Sequence, residues 1–60
     1  MSNTQSILAR WRDEHTAKAL GFMALAEASF DAAESESHRE TAEYHRQQAD
    51  ICERRISDFA

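Results

Sequence analysis

Leu8, Trp11, His15, Ala19, Phe22, Ala26, Phe30 and Ala33 follow one another at steps of three and four, so they fall on a single stripe at about 100° per residue. Leu25 is placed on this stripe too, and Glu27, Asp31 and Glu34 fall on the opposite side. Ala17 to Glu34 holds seven of the eleven alanines and two of the three phenylalanines, with no proline or β-branched residue. Helix is the only regular structure such residue types favour. Gly21 alone interrupts the pattern, at a cost of about 1 kcal/mol relative to alanine, and it also permits close approach of another backbone.

The spacing of Ser2 and Gln5 matches a capping box, with Asn3 or Thr4 as alternative caps, so the first helix is expected to begin near Thr4. Ser35-Glu36-Ser37 breaks the alanine-rich pattern, and Ser37 with Glu40 is a second match. A turn over 35–37 is therefore predicted. Beyond it, Ala42, His45, Ala49, Cys52, Ile56 and Phe59 form a second stripe, with Tyr44 and Ile51 on a strip about 100° away beside Gln48 and Arg55.

These elements predict an all-α, two-helix antiparallel hairpin in one domain over residues 1–60, with helices at about 4–34 and 38–58. A turn at 35–37 would set Phe22 near Ala49, Ala26 near His45, Phe30 near Ala42 and His15 near Ile56. Ile7, Leu8 and Trp11 would overhang the end of the second helix. That overhang and the Tyr44, Ile51 strip are two apolar surfaces one hairpin does not cover, and pairing into a twofold dimeric four-helix bundle covers both. One unbroken helix of about 85 Å would need a long coiled-coil partner, for which the heptads are too irregular. A third helix starting near Gly21 has neither stop nor start signals.

Composition sharpens this picture. Sixty residues lie near the lower limit for a self-sufficient core; the hydrophobic fraction is 42%, but eleven of those residues are alanine and none is valine. Cys52, the single cysteine, excludes an internal disulfide and fits a reducing cytosol. The longest apolar run, Ala19 to Ala26, is far short of the roughly 20 residues that cross a bilayer, and Arg10 and Arg12 interrupt the early apolar residues of any signal peptide. A soluble, cytoplasmic chain with no membrane partner is expected. Net charge is −4 and uneven: residues 27–45 carry six acids against Arg39, while the flanking segments are nearly neutral.

Candidate chemistry is sparse. No histidine has a glutamate three residues before it, and neither HExxH nor CxxC occurs, so no metal or cofactor is expected of His15, His38 and His45. Cys52 sits in a helix interior with nothing to depress its pKa, and two helices offer no cleft for paired carboxylates. No enzyme is expected. Glu27, Asp31, Glu34, Glu36, Glu40 and Glu43 form an acidic pole, where like charges at helical spacing mildly oppose the helix and can steer it onto a basic partner. The equally simple alternative is a solvated face that keeps the bundle soluble. Trp11, flanked by Arg10 and Arg12, has the residue types of a binding hot spot, or it closes a bundle core. The expectation is a small acidic protein-binding module, homodimeric, acting as an inhibitor or regulator of the kind phages and bacteria encode. Two alternatives stand beside it: a dimeric nucleic-acid binder using an Arg10, Arg12, Arg54, Arg55 end, and a structural assembly subunit whose Tyr44 and Ile51 strip drives oligomerisation, with Ile7, Leu8 and Trp11 serving either a partner or the dimer.

Overall fold

Ser2 starts the first helix. Its hydroxyl accepts from the Gln5 backbone N–H at 3.1 Å, and the Gln5 side chain accepts from the Ser2 N–H at 3.0 Å. This reciprocal box satisfies two of the donors a helix start leaves free. In the computed structural model, which describes residues 2–59, α1 spans Asn3–Ala28 and α2 spans Ala32–Asp58. The described residues contain no strand. The two helices pack antiparallel along their length, Arg12 meeting Glu53 at the open end and Phe22 meeting His38 toward the turn.

The chain reverses at Ser29–Asp31, not over 35–37. Asp31 caps α2: its carboxylate accepts from the N–H groups of Ala33 at 2.8 Å and Glu34 at 3.2 Å. The Ser29 hydroxyl donates to the Leu25 carbonyl and the Ser35 hydroxyl to the Ala26 carbonyl, both at 2.8 Å. Two of the four carbonyls that the end of α1 leaves without helical partners are thus satisfied by serines. Ser35, Glu36 and Ser37 lie inside α2, and Thr41 donates to the Ser37 carbonyl at 3.1 Å. Ser37 is a helical residue rather than a cap.

Moving the turn moves the register. His15 faces His45 rather than Ile56, and Ala26 faces Ser35 rather than His45. Phe30 leaves the apolar stripe altogether: it stands at the apex, fully exposed, instead of packing on Ala42. The helices, 26 and 27 residues long, now match to within a residue, so the overhang of Ile7, Leu8 and Trp11 disappears; Ile7, Leu8 and Trp11 line a groove with Arg55 of α2 and with Phe59, which follows it.

The seam is built of small side chains. Leu8, Ala26, Ala42, Ala49 and Cys52 are its buried residues, and only Leu8 is large. Alanines let the backbones come close, but they remove little apolar surface from water. The radius of gyration is 13.9 Å, against about 10.4 Å for a compact domain of this length. The hairpin is a two-rod layer without a second layer to close it.

Candidate interaction surfaces

Three places stand out: the apex, the histidine seam, and the face that carries Trp11 and Tyr44.

At the apex, the acids divide by role. Asp31 and Glu34 sit where a helix N-terminus favours negative charge, and Asp31 is the cap itself. Glu34 also lies 4.0 Å from His38. Glu43, two turns further along α2, is held by Arg46 at 2.6 Å, which keeps its carboxyl below the usual range. Glu27, Glu36 and Glu40 are exposed and have no basic partner among the described residues. Beside Asp31 in the turn stands Phe30, the most exposed large hydrophobic side chain. Sequence periodicity missed it, because steps of three and four continue through it; the signal for it was Asp31-Ala-Ala-Glu34, a cap with an acid three residues later.

In the seam, Nδ1 of His15 lies 2.9 Å from Nδ1 of His45, with the ring centroids 5.1 Å apart. A hydrogen bond at that separation needs one ring to donate N–H and the other to accept it. Phe22 stacks on His45 at 5.7 Å and on His38 at 6.0 Å, and Tyr44 meets His45 edge-on at 5.2 Å. Burial, then the charges of His15 and Lys18, push the His45 pKa below its ordinary value. No group of three or more metal-donor side chains occurs among the described residues. Cys52 is a free thiol buried in the same seam.

The arginine end comes together only in part. Arg12 bridges to Glu53 at 2.8 Å and to Asp13 at 3.1 Å, and these carboxylates raise its pKa. Arg55 lines the groove with Ile7, Leu8 and Trp11, beside Asp58. Arg10 and Arg54 are exposed. Of the apolar candidates, Leu8 is buried, Ile7 and Ile51 are half-buried, and Trp11 and Tyr44 keep 48% and 55% of their surface. Helical spacing puts Ile7 and Trp11 on one edge of α1, and Tyr44 and Ile51 on the edge of α2 that borders it. One continuous face therefore replaces the two separate surfaces expected from the sequence.

Among the described residues, no helix is long and apolar enough to cross a membrane. No protein-family model matches the chain, and no curated protein or solved structure does either.

Proposed function

We propose that this chain is a non-catalytic binding module of the reducing cytoplasm, self-paired through its Trp11–Tyr44 face, that docks by its hairpin apex onto a basic surface with an apolar recess. An inhibitor or regulator works in this way. The observation that carries the docking half is Phe30, 106% exposed in the turn beside Asp31, in a segment that also carries the exposed acids Glu27, Glu34 and Glu36. A bare phenyl ring at the tip of a rigid turn contributes nothing to the hairpin, and aromatic anchors ringed by charge are what interfaces use for affinity and steering. The acids bring the apex to a positive partner, and the ring fills its recess. The arginine end supports nucleic-acid binding less well, because Arg12 is already engaged by two carboxylates.

Area supports the self-pairing half. The hairpin exposes 4433 Å², while a compact monomer of 6.9 kDa exposes about 4,000 Å². Hiding about 600 Å² per chain, the small end of stable interfaces, would bring the exposed area below the compact value.

The docking half is tested by affinity capture from a lysate of the source cells, comparing wild type with Phe30→Ala and with Glu27→Lys plus Glu36→Lys. These acids are chosen because neither caps a helix or holds a cation. The expected result is one protein of basic surface retained by the wild type at low salt, released at high salt, and lost with either variant. Equal retention by all three proteins would contradict apex docking.

A further inference from the structure

Gly21 has no use inside the hairpin. It lies mid-helix with a non-positive φ, and a Cβ added there would meet nothing within 4 Å. Neither a turn nor close packing within the chain calls for glycine, and alanine would favour the helix by about 1 kcal/mol. The remaining structural use of a missing side chain is to let another backbone or ring come close. Its position fits that use. Ile7, Trp11, Lys18, Gly21 and Leu25 share one edge of α1 at helical spacing, the edge that borders Tyr44 and Ile51 of α2. Trp11, Leu25 and Tyr44 are each about half exposed on this face, at 48%, 50% and 55%.

From this we infer that Gly21 is the contact point of the self-association surface, where a helix of a second copy crosses α1 at close range between Trp11 and Leu25. This rests on the self-pairing proposed above. A second copy is the occupant favoured by the hairpin's surplus area, and charge fixes how it sits. Glu14 and Lys18 leave this face nearly neutral, whereas the apex is strongly negative, so two copies meet face to face with their acidic apexes at opposite ends.

Gly21→Gln separates the possibilities, since glutamine is a good helix former at an exposed position and leaves the hairpin intact. Sedimentation equilibrium would be run on wild type, Gly21→Gln and Thr16→Gln, with circular dichroism to verify helix content; Thr16 is exposed on the opposite edge of α1, where it lines a groove with Leu20 and Met23. The expected result is a dimeric wild type, a dimer weakened at least about tenfold by Gly21→Gln, and an unaffected Thr16→Gln protein. A dimer equally tight in Gly21→Gln, or equally weakened by Thr16→Gln, would overturn the assignment of Gly21 while leaving self-pairing in place. A wild type that sediments at 6.9 kDa at every concentration would overturn both.

Discussion

Asp31 and His45 show how much single side chains decide in so thin a fold. Asp31 satisfies two N–H groups at the start of α2, so Asp31→Ala is expected to lower stability by about 1 kcal/mol in urea unfolding, the usual loss for a removed cap. Ser37→Ala, inside the helix, is expected to change it by less than about 0.5 kcal/mol. The opposite ranking would put the turn back at 35–37. His45 is expected to contribute to the response to acid near neutral pH. Its folded pKa lies below the ordinary 6.5, so between the two values the unfolded chain binds more protons than the folded one. Stability is then fully present above about pH 6.5 and is lost as pH falls toward the depressed value. The His15 contact adds to this, because a second proton sets two N–H donors against each other across 2.9 Å, with Lys18 nearby on α1 and His38 and Tyr44 on α2. The urea midpoint is expected to fall between about pH 7 and pH 5, and His45→Gln is expected to flatten that slope. A wild-type midpoint that stays level over this range would contradict it.

At the scale of elements, the helices were legible in the residues and their junction was not. Alanine and leucine in α1, and alanine, glutamate, glutamine and arginine in α2, favour helix on either side of the junction, and Ser2 with Gln5 caps α1 at the spacing the sequence shows. The junction is a competition between two nearly equal local signals, Ser37 with Glu40 and Asp31 with Glu34. Asp31 prevails because its carboxylate takes two N–H groups, because Ser29 and Ser35 are then placed to satisfy the carbonyls of α1, and because the helices come out equal in length. Local spacing carries none of the tertiary part of that balance. From the misplaced turn followed the wrong register, the hidden Phe30, the missed His15–His45 contact and the overhang expected to leave Trp11 uncovered, whereas the exposed position of Tyr44 depends only on its face of α2. Close packing at the seam gives a further expectation. Ala26 is 2% exposed beneath Ser35, so Ala26→Leu is expected to cost about 1–3 kcal/mol by forcing the rods apart, whereas Ala24→Leu on the outer side is expected to cost almost nothing. Equal urea midpoints for the two variants would contradict an alanine-closed seam.

The whole molecule is elongated and thinly packed. Its Cα extents are 44 × 13 × 10 Å, it buries one large side chain, and it leaves Trp11, Leu20, Leu25, Phe30, Tyr44 and Phe59 in water. A chain of this size cannot draw much stability from five buried residues, four of them small. In the proposed dimer, a second copy on the Trp11–Tyr44 face would supply a second layer and would leave both acidic apexes, each with its Phe30, free at opposite ends for a basic partner. Stability and association are then a single equilibrium. The measurement that tests this most directly is the unfolding midpoint as a function of protein concentration. Over a hundredfold range the expected result is a midpoint that rises steadily, equivalent to about 2.7 kcal/mol per dimer. A cooperative transition at the same midpoint across that whole range would show a hairpin that stands alone and would contradict it.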